Sequence, residues 1–177
     1  GYTGNRCAYI GTASTNNTYN VTASSVVHFY RDITFPAGQP NVSLSFSWKA
    51  YGESSYDYVR VYLLPTLTTP VAGALPVTGQ LGGDFNLSSS WQTANIGLPC
   101  NLPGTTMRLV FSWRNDGSVG TNPPGCIDNI SLVSSTSASC ASYLGSGHTA
   151  VATLPYNSGA GTTCGMGNDL TPANTAT

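Results

Sequence analysis

The sequence predicts an all-β fold, an antiparallel jelly-roll-like β-sandwich with an extended C-terminal segment. Several short windows alternate strictly between apolar and polar residues, the mark of a half-buried strand. Glycine and proline clusters separate those windows, and no stretch of useful length carries an amphipathic helical period.

The clearest strand is Asn41 to Ala50, with Val42, Leu44, Phe46 and Trp48 on one face and Ser43, Ser45, Ser47 and Lys49 on the other. Met107 to Trp113 repeats the pattern, with Met107, Leu109, Phe111 and Trp113 inward and Arg108, Val110 and Ser112 outward. Together Val42, Leu44, Phe46, Trp48, Leu109, Phe111 and Trp113 form the expected core. Val26 to Phe35 and Tyr58 to Leu64 read as strands, as do Trp91 to Ile96, Ile127 to Val133 and the short Cys7 to Ile10. Pro36-Ala37-Gly38, Gly79 to Gly83, Pro103-Gly104 and Pro123-Pro124-Gly125 read as loops. Residues 1–133 make the sandwich module. Residues 134–139 are a Ser/Thr-rich linker, and 140–177 are an extended tail or the start of a second β module.

Composition narrows the function classes. Only 7% of residues are charged and the net charge is -1, against about 25% charged in ordinary soluble domains. Solubility therefore rests on hydroxyls, amides and glycines, which suits a secreted, extracellular protein. No basic patch invites nucleic acid, and no run is long enough for a membrane span. The five cysteines include no CxxC, so disulfides in an oxidising compartment are the expected use. Cys126 opens the last strand of the module and is expected to pair with Cys100, Cys7 being the alternative. Asn-x-Ser/Thr sequons stand at Asn16, Asn20, Asn41, Asn86 and Asn129.

Catalysis finds little here, and the expectation is that the chain is not an enzyme. No GxSxG motif occurs. Glu53 and Asp57 share one polar loop without an apolar pocket to separate their pKa values. His28 reads as a sheet-face residue.

The runs Val59-Arg60-Val61-Tyr62-Leu63-Leu64-Pro65-Thr66, Leu109 to Ser118 and Pro123 to Leu132 resemble a module of large secreted surface proteins of Bacteroidota. Those modules are MAM-like or carbohydrate-binding-like jelly rolls exported by the type IX route. The resemblance implies a cell-surface adhesin or fibre-forming protein acting in cohesion, adhesion or assembly, with a carbohydrate-binding module as the alternative. Such modules carry further strands before the stretch matching Cys7 to Ile10, so a sheet edge is expected to stand open. The strand Thr149, Ala150, Val151, Ala152, Thr153 and Leu154 is the candidate to fill that edge in another copy. Expected partners are other copies of the chain or neighbouring modules, and glycans. In jelly rolls of this kind an acidic residue at the start of the last strand often binds a structural Ca²⁺, which points to Asp128 and Asn129; the alternative is an Asp that accepts backbone N–H bonds or pairs with an Arg. For a glycan, Tyr51, Tyr56, Tyr58 and Tyr62 are the candidate stacking platform; the plainer and preferred reading is that tyrosine is a favoured strand residue, needing no ligand.

Overall fold

The computed structural model describes residues 1–12 and 16–136. The tail expected to supply an assembly strand, Thr149 to Leu154, lies outside them. Among the described residues the fold is all β. The strands are β1 (Ala8–Tyr9), β2 (Ser25–Thr34), β3 (Asn41–Ala50), β4 (Tyr58–Pro65), β5 (Gln80–Phe85), β6 (Ser88–Gly97), β7 (Thr106–Asn115) and β8 (Cys126–Ser135). They form two four-stranded sheets, ordered β1-β8-β3-β6 and β2-β7-β4-β5. The predicted antiparallel sandwich is the observed one.

The chain makes two compact units. The larger holds Gly1–Thr34, Leu44–Ile96 and Thr106–Leu132. The smaller holds Phe35–Ser43, Gly97–Thr105 and, of the described residues that follow, 133–136. Within the smaller unit Phe35, Val42, Leu98, Cys100 and Leu102 are buried. Its turn is closed by Phe35 N–H on Thr105 O and Gly104 N–H on Phe35 O, both at 2.9 Å.

The core of the larger unit follows from side-chain parity. Leu44 and Phe46 of β3, Val59, Val61 and Leu63 of β4, and Leu109, Phe111 and Trp113 of β7 are buried. Phe111 packs edge-on to Phe46, ring centroids 5.1 Å apart, and stacks on Phe29 of β2 at 4.9 Å. The register places Val59 opposite Trp113 and Val61 opposite Phe111. Trp113 is 2% exposed and meets Tyr19 edge-on at 5.2 Å. Trp48 points inward as expected but is only half-buried, against Phe85 at 5.4 Å.

Three features depart from the sequence reading. Gly79 to Gly83 is not wholly a loop, because β5 runs through Gly82 and Gly83. A register shift between Val59 and Val61 absorbs Gly82, whose φ is +66°. Glycine tolerates that left-handed angle, so the strand survives a residue pair that reads as a turn. Second, Val110 and Ser112 are fully buried, although their parity puts them on the outward face of β7. The connection from β4 to β5 folds over that face. His28 Nε2 meets Val71 O at 3.0 Å, Gly73 N–H donates to Val26 O at 2.9 Å, and Arg108 Nη1 donates to Thr68 O at 3.2 Å. Leu75 of this connection packs on Tyr62, Leu64 and Val110. Third, β8 continues through Ser134 and Ser135, where the linker was expected. Asn41 Nδ2 donates to Ser135 Oγ at 3.3 Å, and Ser134 bonds Gln39.

Unequal burial of the two tryptophans sets unequal costs of truncation. Trp113→Ala is expected to lose about 3–5 kcal/mol and Trp48→Ala about 1–2 kcal/mol, because cost scales with the packing removed. Urea denaturation of the two variants measures both, and equal losses would contradict this packing.

Candidate functional site

A cleft of about 430 Å³ lies against the β1-β8-β3-β6 sheet. All four strands contribute to it: Tyr9 from β1, Cys126 from β8, Lys49 from β3 and Trp91 from β6. Parity explains why. Lys49 alternates with the inward Phe46 and Trp48, and Trp91 lies on the face opposite Ala94 and Ile96. The segment before β1 closes one side with Asn5, Arg6 and Cys7.

The aromatic content is concentrated at Trp91. Tyr2 tilts against its ring at 5.7 Å, and Lys49 Nζ sits 5.4 Å from its centroid. Asn17 also lines the cleft, and both polar atoms of its amide group are buried without a partner among the described residues. A buried amide with donor and acceptor both unmet costs free energy of about 1–3 kcal/mol unless something polar reaches it.

The near wall is fixed to the sheet by Asp128. Its Oδ2 accepts N–H bonds from Tyr2 at 2.6 Å and Thr3 at 3.3 Å, and its Oδ1 accepts from Asn129 N–H at 2.8 Å. Thr3 Oγ1 donates to Asn129 Oδ1 at 2.7 Å. Burial opposes ionisation of Asp128, but the three backbone donors together hold its carboxyl below the usual range. The two residues expected to hold Ca²⁺ are thus engaged with the chain itself.

The wall is also tied by sulfur. Cys7 Sγ lies 3.0 Å from Cys126 Sγ. The thiol facing Cys126 is Cys7 rather than the expected Cys100, because β8 pairs with β1 and Tyr9 sits opposite Cys126. Burial, with Cys7 alongside, pushes the Cys126 thiol up to about 12. Cys100 is a separate buried thiol, also raised by burial.

The expected tyrosine platform is divided. Tyr58 and Tyr62 are 4% and 1% exposed. Their outward face is covered: Tyr62 lies under the β4–β5 connection, and Tyr58 beneath Arg60 and Arg114, at 4.3 and 5.5 Å. Tyr51 and Tyr56 are exposed, near the loop that precedes β4, and neither lines the Trp91 cleft.

That loop carries a second cluster. Carboxylate oxygens of Glu53, Asp57 and Asp116 lie within 4.8 Å of one another. Asp57 is fully buried, accepting Tyr19 Oη at 2.5 Å and Asp116 N–H at 3.1 Å. Asn86 Nδ2 holds the loop through Glu53 O at 2.8 Å and Asp57 O at 3.0 Å. Gly120 is required beside it, since a Cβ there would meet Asp57 Oδ2 at 2.4 Å. Glu53 Oε2 is buried and has no partner among the described residues. Burial first, then the charges of Asp116 and Asp57, raise the Glu53 carboxyl. Three carboxylates are the group best placed to meet a cation here, yet Ca²⁺ takes six to eight oxygens.

His28 shows no catalytic arrangement. Its Nδ1 meets Ser112 Oγ at 2.8 Å, but Ser112 is fully buried and Nε2 is bonded to Val71 O. Among the described residues no helix is long and apolar enough to cross a membrane.

No family model matches the chain, and no curated protein matches it. Among solved structures it is similar to that of TmCBM61 in complex with beta-1,4-galactotriose, with a TM-score of 0.39 and 14% identity. The match covers 64% of this chain and 66% of that one, just under two thirds of its length. A likeness of this degree carries no functional argument.

Two outcomes follow from this geometry. Under oxidising conditions Cys7 and Cys126 are expected to join, and peptide mapping without reductant will find them linked. Closing a loop of this length contributes up to about 5 kcal/mol, which Cys7→Ser removes. A Cys100–Cys126 link in the map would contradict the structure. Second, Glu53 has a raised folded-state pKa, so stability falls as pH rises from its unfolded value through the folded one. In chelator-treated buffer Glu53→Gln should therefore raise Tm at pH 7 and leave it unchanged below the unfolded pKa. Melting curves across pH check the sign.

Proposed function

We propose that the chain is a non-catalytic glycan-binding module of an extracellular, surface-borne protein. The glycan lies in the cleft across β1, β8, β3 and β6. The observation that carries this reading is Trp91, presented in that cleft beside Tyr2 and the amides of Asn5 and Asn17. A pyranose has an apolar C–H face and a rim of hydroxyls that both donate and accept. An indole ring supports the face, and a planar amide with both ends free answers the rim. Ligand sites are concave and combine apolar area with a few placed polar groups, and this cleft falls within the usual size range. The low charge and the five cysteines support secretion. Gripping a surface glycan is also how an adhesive module acts, so adhesion and polysaccharide targeting share this face.

Trp91→Ala is expected to abolish glycan retention in affinity gels while the variant melts within a few degrees of the parent. Tyr51→Ala and Tyr56→Ala should retain binding. Retention by Trp91→Ala, with loss in the tyrosine variants, would move the site to the loop before β4.

A further inference from the structure

We infer that the glycan taken by the Trp91 cleft is an acidic polysaccharide, one whose sugars carry carboxylate or sulfate groups; this rests on the glycan reading above. The argument begins with how the chain spends its cations. It has six Lys and Arg residues in all. Arg60 pairs with Asp84 at 2.5 Å and Arg108 with Asp32 at 2.7 Å, while Arg114 donates to Tyr56 O at 2.7 Å. Two of the remaining three, Arg6 and Lys49, line this one cleft. No carboxylate lines it among the described residues. The nearby Asp128 is outside the lining, its oxygens already taken by three N–H groups. A chain of net charge -1 therefore sets two cations, uncompensated among the described residues, at the site that also holds the half-buried Trp91.

Their surroundings suit an anionic sugar. Lys49 lies over the face of Trp91 rather than beside a carboxylate. An ammonium held by an aromatic face keeps its N–H donors for an incoming oxygen. Its charge is felt at the floor, where it works against burial in setting the Cys126 thiol. Arg6 is exposed and offers a planar fork that fits two oxygens of a carboxylate or sulfate. A neutral glycan would use Trp91 and the amides and gain only hydrogen bonds from its hydroxyls to the two cations, without the ion-pair attraction. An acidic one places a ring on Trp91 and its oxyanion on the cations.

The test uses the whole chain in affinity electrophoresis and calorimetry against a neutral β-1,4-galactan, polygalacturonate and a sulfated galactan. At least one acidic polymer should bind about tenfold more tightly than the neutral one, the size expected for charge-assisted hydrogen bonds. That advantage should shrink as salt rises from about 0.05 to 0.5 M. Arg6→Gln and Lys49→Gln should bring the acidic-to-neutral ratio toward one, and Lys49→Arg should restore it. Trp91→Ala should lose all three polymers. Preference between the two acidic polymers tells carboxylate from sulfate. Equal binding of neutral and acidic polymers would overturn the acidic preference and leave glycan binding standing. Failure of the folded chain to bind any polymer would overturn glycan binding itself. Acidic binding that survives Trp91→Ala would mean diffuse charge attraction and overturn both.

Discussion

The contact between Phe46 and Phe111 is where the two sheets become one core. Phe46 comes from β3 and Phe111 from β7, and their rings meet edge to face. Phe111 also stacks on Phe29, and Phe46 also meets Phe85, so four strands converge on two rings. Such aromatic pairs contribute about 0.5–1.5 kcal/mol each beyond their area. More consequential is what they fix. With Phe46 inward, Lys49 must face outward, and with Phe111 inward, Val110 and Ser112 must face the opposite side of the β2-β7-β4-β5 sheet. The positions of the cleft and of the covered face both descend from this parity.

Covering one outer face decides where a ligand can go. The connection between β4 and β5 holds His28, Val26 and Arg108 by its backbone and lays Leu75 on Tyr62 and Val110. Side chains there act as a second, smaller core. Among the described residues the β1-β8-β3-β6 sheet has no comparable cover over Trp91 and Lys49. Its polar surroundings come from a segment without regular structure, held by the Asp128 carboxylate. A scaffold of strands thus supplies the floor, and a tethered segment supplies the wall.

How much of this was readable in the sequence varied with the range of the interactions. β3 was legible to its end residues, because alternation is a local property, although Ser47 on its outward face is buried and Trp48 is only half-buried. β5 was not, because Gly82 and Gly83 carry no side chains to show a period. Val110, Tyr58 and Tyr62 were placed on the correct face but read as exposed. Only a connection folding back over the sheet buries Tyr62 and Val110, and no local pattern announces that. The partner of Cys126 depended on the first strand meeting the last, the least local pairing in the chain. Trp91 could have been found: counting outward from Ala94 and Ile96 puts it on the open face. The acidic loop was visible as Glu53 and Asp57, but Asp116 joins it from β7's far end, beyond any spacing rule.

Lys49 is the sole lysine among the 177 residues. Its side-chain amine stands in the cleft, half-buried against Trp91. Amine-directed chemistry on a side chain of these 177 residues is therefore directed to this cleft. A dye or solid support coupled through the lysine is coupled at the face assigned to the glycan. Surfaces prepared that way would hide the site, while attachment through carboxylates, none of which lines the cleft among the described residues, would leave it open.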